Sequence, residues 1–485
     1  MRKISIDPIT RLEGHGKIEI FLNDAGKVEN SYLQVPELRG FEKFAEGRLA
    51  EDMPQITQRI CGVCPEAHHL ASTKTLDALF HVTPTSTARK LRELLYNAFY
   101  VTDHTTHFYI LGGPDFVMGP EAPVAERNII GVIGKVGLEL GGAVIGTRKK
   151  CHHIIAQLGG KAVHPVFGQP GGVSRGINEE ERKEFEQIAK DCVEFSKLSL
   201  KVFADIVLAN KEYVDMIVSD AYTHKTYSMG LVDENNKVNF YDGKIRVVDP
   251  DGKEFAKFEP RDYLEHIAEH VEPWSYIKFP YLKKIGWKGF VDGKDSGVFR
   301  VAPMARLNAS DGMATPLAQE EYEKMYDTLG GKPVHHTLAI HWARLIELVQ
   351  AAETMLQLSQ DPEITGDDLR NIPTATPDEG IGVLEAPRGT LIHHYQTDEY
   401  GIIKKANLIV ATVHNAAAVN MSVDKAAKAL IQPGKEITEG LLNRIEMAWR
   451  PYDLCMACAT HNLPGHPAMP MYVYDKNKQI IKSWE

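Results

Sequence analysis

The sequence predicts a predominantly helical α+β protein: a long-helix bundle core with small peripheral β-sheets. Apolar residues recur at three- and four-residue spacing over 88–111, 178–209 and 336–360, the period of helices with one buried face. Strict alternation is confined to short runs, at 17–35 and about 230–258. With 485 residues, 43% of them hydrophobic and 25% charged, the chain can bury a sizeable core. No linker rich in Gly, Ser or Pro divides it, so residues 1–485 read as one large unit.

Within residues 1–36, Lys17-Ile-Glu-Ile-Phe21 and Val28 to Val35 flank Asn23-Asp-Ala-Gly26, which reads as a hairpin turning at the glycine. The stretches Ala88 to Leu111 and Asn178 to Ala209 follow as long helices. Asp242-Gly243 and Asp251-Gly252 separate short Val, Ile and Phe runs, the signal of a small β-rich insertion at 230–258. His336 to Gln360 is a third helix, with Leu345, Leu348 and Met355 along one face and Ala352 between them. The end of the chain, 462–485, reads as an extension finishing in a small hairpin.

A formal net charge of -10 with interspersed Lys and Arg argues against a nucleic-acid surface. Neither a membrane-spanning stretch nor a signal-peptide segment is evident, so a cytoplasmic location is expected, with export on a partner's signal as the alternative. Six cysteines, four of them in motifs, do not make a disulfide framework; Cys151 and Cys192 read as small buried apolar residues.

Those four cysteines form two Cys-x-x-Cys pairs near opposite ends of the chain: Cys61 and Cys64, and Cys455 and Cys458. The spacing brings two sulfurs together in each pair, and four converging thiolates favour a soft or borderline metal over magnesium or calcium. The alternatives are a structural zinc site, a redox dithiol or two unrelated pairs. Zinc ribbons bring their pairs within roughly 12 to 20 residues, whereas almost the whole chain lies between these. A thioredoxin-like motif has one dithiol opening a helix, which two copies with these flanks fit poorly.

The flanks are more specific. Arg-x-Cys-Gly-x-Cys-x-x-x-His at Arg59 to His68 and Asp-x-Cys-x-x-Cys-x-x-His at Asp453 to His461 resemble the two nickel-ligand motifs of nickel-iron hydrogenase large subunits. Asp7 to His15 (Asp-Pro-Ile-Thr-Arg-Leu-Glu-Gly-His), Arg39 to Glu42 (Arg-Gly-Phe-Glu) and Glu385 to Gly389 (Glu-Ala-Pro-Arg-Gly) are similar to that family's other signatures, in the same order. Among its groups, the short N-terminus and the Cys-Ala-Thr-His ending look most like cytoplasmic multisubunit enzymes, including the methanogen viologen-reducing type associated with heterodisulfide reductase.

The resemblance implies reversible heterolytic cleavage of dihydrogen to protons and electrons at a nickel-iron centre with carbonyl and cyanide on iron. It makes Cys61 and Cys455 terminal nickel ligands and Cys64 and Cys458 bridges to iron. Glu13 falls at the proton-relay position beside Cys455; the alternative is a glutamate paired with Arg11. Arg388 falls beside nickel, held by Asp103 and Asp453, where the alternative is a surface turn with a salt bridge. His68 is expected to hydrogen-bond a cysteine sulfur. Pro387, Leu391 and Val410 are expected to line the diatomic ligands, and Thr412 to donate to cyanide. Glu42 and His461 are implied ligands of magnesium or a related cation. Two departures stand out: Leu454 where proline is usual and His414 where Trp is frequent.

Electrons require a second protein, because two remaining cysteines cannot hold an iron-sulfur cluster. The resemblance implies an iron-sulfur small subunit, further electron-transfer subunits leading to a flavin or ferredoxin-type acceptor such as heterodisulfide reductase, and a maturation protease acting after His461. The rival reading is a non-catalytic metal-binding or scaffold subunit of a respiratory-type complex, related in fold but lacking the four cysteines.

Overall fold

In the computed structural model, which describes residues 2–35, 40–275, 277–456, 471–474 and 480–484 (the last two by backbone alone), the chain opens in a sheet. Strands β1 (Arg2–Ile6), β2 (Lys17–Leu22) and β3 (Val28–Gln34) are antiparallel, with Ile4 opposite Ile20 and Ile18 opposite Leu33. Those four side chains are buried, which fixes the register: a one-residue slip would turn them all to solvent.

Helix α1 (Pro65–Leu79) starts at Cys64, with Pro65 in the first position where its missing N–H is harmless. It is buried almost all round, as a central helix must be. Helix α2 (Ser86–Thr106) is capped by Thr85 Oγ1, which accepts from Ala88 N at 3.2 Å, and continues as a π-helical turn over His107–Gly112. Helix α3 (Leu138–Gly159) packs on α2, and helix α4 (Glu179–Phe203) begins with a capping box of Asn178 and Glu181. Cys151 on α3 and Cys192 on α4 are buried, and their sulfurs lie 3.4 Å apart. The sequence reading anticipates their burial and misses their contact.

Strands β4 (Tyr227–Val232), β5 (Lys244–Val248) and β6 (Glu254–Phe258) form an antiparallel set, and β7 (Phe299–Arg300) joins its edge in parallel with β4. Helices α5 (Pro303–Ala309) and α6 (Ile340–Gln360) follow; α6 packs against both α2 and α4 and is buried on most sides. Then come β8 (Glu379–Ala386), β9 (Gly389–Thr397) and β10 (Ile403–Ile409), an antiparallel sheet. The sequence reading does not find this sheet, because β9 is buried on both faces through its first seven residues and loses the period-two signal. Helix α7 (Ala411–Leu430) and helix α8 (Glu439–Glu446) complete the core. Finally β11 (Met471–Tyr474) and β12 (Ile480–Trp484) form a hairpin whose β11 pairs with β1, Ile4 opposite Val473.

Two glycines decide where the β8–β9 hairpin sits. A Cβ on Gly380 would come within 2.3 Å of Thr75 O, and one on Gly382 within 2.5 Å of Ala71 O. Only glycine lets β8 approach the α1 backbone this closely. The hairpin is thereby laid against the helix that starts at Cys64, and its tip, from Glu385 to Thr390, is buried.

Candidate metal centre

Cys61 ends a 3-10 turn (Gln58–Ile60), and its Sγ accepts from the amides of Val63, at 3.3 Å, and Cys64, at 2.9 Å. Cys455 reaches the same place from the far end of the chain: its Sγ is 3.3 Å from Cys61 Sγ, while Cys64 Sγ is 2.7 Å from Cys61 Sγ. The three sulfurs lie within 4.8 Å of one another, all buried. Cys458 and His461 lie outside the described residues, as does Arg39 of the second signature.

The Cys64 thiol is pushed well above its ordinary range by its hydrogen bond to Cys61 and by burial. Crowded buried thiols resist losing protons until a cation shares them, and soft sulfur donors suit nickel and iron. The donor set therefore fits a nickel-iron centre.

Glu13 is joined to Cys455 twice. Leu454 O accepts from Glu13 N at 3.2 Å and Glu13 O from Met456 N at 2.9 Å, a parallel bridge that sets Glu13 Oε2 3.2 Å from Cys455 Sγ. Arg11 is engaged elsewhere, with Asp115 Oδ1 at 2.5 Å and Asn443 Oδ1 at 3.1 Å. Thr412 Oγ1 accepts from Cys455 N at 3.2 Å, which leaves its O–H to donate.

Arg388 sits in a turn, yet a buried one. Its Nη1 is 3.1 Å from Asp103 Oδ2, its Nη2 3.0 Å from Asp453 Oδ2, and its Nε donates to Asp453 O at 2.7 Å. Asp453 itself is in the left-handed region at φ 60°, which turns the chain from the 3-10 helix Arg450–Tyr452 toward Cys455. Burial raises both carboxyls. For Asp103 burial prevails and the pKa rises; for Asp453 the attraction of Arg388 and other neighbours prevails and the pKa falls. Each keeps one buried oxygen without a partner, Oδ1 in both cases.

His68 Nδ1 meets His393 Nε2 at 3.2 Å. Pro387 shares the Arg388 turn; Leu391, on β9 opposite Leu384, and Val410, at the start of α7, are buried. Glu42 stands at a different place, its Oε1 accepting from Leu408 N at 2.8 Å. His414 is fully buried with neither ring nitrogen bonded, and burial pushes its pKa down to about 3, so the ring is neutral.

Several buried residues escape the sequence reading. Arg344 donates to Asp453 Oδ2 at 3.4 Å, to Pro451 O at 3.0 Å and to His104 Nδ1 at 3.1 Å. An Arg donor on Nδ1 puts the proton of neutral His104 on Nε2, where it donates to Glu347 Oε2 at 3.0 Å. Asp115 accepts from Arg450 Nη1 at 2.6 Å as well as from Arg11. Of these, only His104 is adjacent to a residue the resemblance singles out, Asp103.

Three converging buried sulfurs with a carboxylate on one of them, inside a helical scaffold, define a metal-binding protein with a soft-donor site. The model of the nickel-dependent hydrogenase family matches residues 39–128 and 143–461, and a HoxL-like model matches residues 3–38. An iron-sulfur subunit of the F420-non-reducing hydrogenase of Archaeoglobus profundus is 51% identical over 483 residues, covering 100% of this chain and 99% of that protein. A vhu subunit of the F420-non-reducing hydrogenase of Methanocaldococcus jannaschii is 44% identical over 432 residues, 89% of this chain and 100% of that one. The crystal structure of an NAD+-reducing [NiFe]-hydrogenase in the H2-reduced state superposes with a TM-score of 0.89 at 37% identity, covering 95% of this chain and 100% of that one.

The chain belongs to the nickel-dependent hydrogenase family and is the catalytic subunit of a nickel-iron hydrogenase. Both relatives are named as one subunit of an enzyme, which implies further subunits. Among the described residues no helix is long and apolar enough to cross a membrane.

Proposed function

We propose that the chain cleaves dihydrogen heterolytically, with Cys455 Sγ receiving the proton and Glu13 carrying it away. The observation that carries this is the 3.2 Å contact between Glu13 Oε2 and Cys455 Sγ, beside two further cysteine sulfurs. Cys61, Cys64, Cys455 and Cys458 would hold nickel and iron. When bound, that centre supplies the electron-accepting metal at which dihydrogen is polarised and split. The protein's own part is to hold and move a proton: a carboxylate at hydrogen-bond distance from a sulfur relays it without water entering the pocket. Arg388, kept cationic between Asp103 and Asp453, positions the small substrate by its planar guanidinium.

Iron-bound carbonyl and cyanide belong to this reading, with the free O–H of Thr412 as the cyanide donor, His68 tuning a sulfur, and Pro387, Leu391 and Val410 as the apolar wall. Glu42 with His461 would hold magnesium or a related hard cation that keeps most of its waters. An iron-sulfur small subunit would dock over the first dithiol. Val63 lies between its two cysteines and is 37% exposed, beside Val163 and Val166 at 46% and 40%, and Gln58 ties that neighbouring segment down through Pro165 O. Electrons would pass on to a flavin or ferredoxin-type acceptor such as heterodisulfide reductase, in the cytoplasm. A maturation protease would cleave after His461.

Infrared spectroscopy of the purified complex tests the centre. Cyanide and carbonyl bands with nickel and iron in the same sample are expected; a fully metallated, active sample with neither band would overturn it.

A further inference from the structure

Arg388 occupies one of two turn residues between β8 and β9, Ala386 pairing with Gly389 across the turn. Such turns normally face water, which satisfies their backbone groups. This one is buried from Glu385 to Thr390, so every carbonyl in it needs a partner from the protein. The partners are present. Glu385 O accepts from Tyr96 Oη at 2.5 Å and Tyr100 Oη at 2.8 Å. Ala386 O and Pro387 O accept from Arg306 Nη1 at 2.8 Å and Nη2 at 3.0 Å. Arg388 O accepts from Asn415 Nδ2 at 2.9 Å.

Arg306 is the centre of this arrangement. It is fully buried on α5, and its remaining donors go to Glu347, Nε at 2.7 Å and Nη2 at 2.5 Å, and to Glu385 Oε2, Nη1 at 3.1 Å. All five N–H groups of the guanidinium thus have acceptors, two of them the carbonyls immediately before Arg388. Glu347 also accepts from His104, which follows Asp103 in sequence. One side chain therefore braces both the turn carrying Arg388 and, through Glu347 and His104, the helix carrying its partner Asp103.

We infer that Arg306 is a positioning residue for Arg388: it holds the buried turn so that the Arg388 guanidinium reaches the metal pocket preorganised. The inference rests on the proposed role of Arg388. Arg306 touches neither substrate nor sulfur, and its effect travels through the two carbonyls. Lysine has three donors on a flexible stem and cannot reproduce a five-donor planar fork.

The test uses the whole complex and three variants: Arg306→Lys, Arg388→Lys and the double substitution. Nickel and iron content, melting temperature, kcat and KM for dihydrogen, and hydrogen/deuterium exchange are measured. For Arg306→Lys the expected result is metal content within about twofold of native, an unchanged KM, and kcat and exchange reduced about tenfold or more, the pattern of a lost transition-state interaction. The double variant should be no slower than Arg388→Lys alone, since misplacing a residue already replaced changes nothing further. Native kcat in a metallated Arg306→Lys enzyme, or losses that multiply in the double variant, overturns the inference while leaving Arg388's role intact. A native-like Arg388→Lys enzyme overturns both. If Arg306→Lys does not accumulate, Glu347→Gln loosens the same brace while keeping the guanidinium. A kcat loss in Glu347→Gln that disappears on an Arg388→Lys background supports the inference, and unchanged kcat refutes it.

Discussion

Glu13 and Cys455 lie 442 positions apart and are paired through both backbone and side chain, with Glu13 Oε2 3.2 Å from Cys455 Sγ. The backbone bridge sets the geometry, so the side-chain contact does not depend on a flexible stem finding its partner. A carboxylate placed this way can exchange a proton with the sulfur during turnover.

Glu13→Gln keeps the shape and the backbone bridge but removes the titrating oxygen. Metal content should stay near native, while hydrogen uptake and hydrogen/deuterium exchange fall by about 10² or more, the range expected of a positioned acid-base group. Uptake and exchange at native rates would eliminate the relay.

Arg388→Lys keeps the charge but loses the fork that spans Asp103 and Asp453 at 3.1 and 3.0 Å. Turnover should fall by at least about tenfold, with nickel content nearly unchanged. Parallel loss of metal and activity would assign Arg388 to assembly instead.

Asp115 stands between Arg11 and Arg450, tying the strand side of the N-terminal signature to the segment that leads into Asp453 and Cys455. Although burial opposes it, the attraction of Arg450 and Arg11 holds its pKa below the ordinary carboxylate value. Its contribution to stability is thus present above about pH 4 and lost as acid protonates the folded carboxylate. Asp115→Ala removes the carboxylate shared by the buried Arg450 and the half-buried Arg11, leaving Arg450 paired with Glu446, and should destabilise the protein by about 3 kcal/mol, read as a lowered denaturant midpoint at neutral pH. A midpoint equal to native would show the cluster to be energetically neutral.

Glu66 has the opposite sign. It is almost wholly buried beside the first dithiol, and burial pushes its pKa from 4.5 up to about 8. Between those values the unfolded chain has lost a proton that the folded chain keeps, so stability falls as pH rises, by up to about 1.4 kcal/mol per pH unit. Glu66→Gln should therefore raise the melting temperature at about pH 8 and change it little at about pH 4. An equal shift at both pH values would show that folding does not raise the pKa of Glu66.

The helical periods at 88–111, 178–209 and 336–360 could be read in the sequence because each is a local repeat of apolar residues at three- and four-residue spacing, even where, as in α6, the helix is buried on most sides. The 379–409 sheet could not, since β9 is buried on both faces and Gly380 and Gly382 serve close approach to α1, which no alternation encodes. The same division runs through the site. Cys61, Cys64, Glu13, Arg388 and Asp453 stand in recognisable motifs, and Asp103 and Thr412 are reached through the resemblance. Arg306, Arg344, Glu347 and Asp115 stand in none, and each acts by satisfying a buried charge or carbonyl far away in the chain.

By itself the sequence determined the chemistry available: two dithiols, their flanking acid and arginine, and a chain long enough to bury them. Only the tertiary structure decided how that chemistry is aimed. Spacing rules reach one turn of helix or one strand pair, whereas Glu13 meets Cys455 across 442 positions and Arg306 meets Ala386 O across 80. Contacts of that separation arise from packing, and burial makes them obligatory, because a polar group removed from water must find its partner wherever the fold brings one.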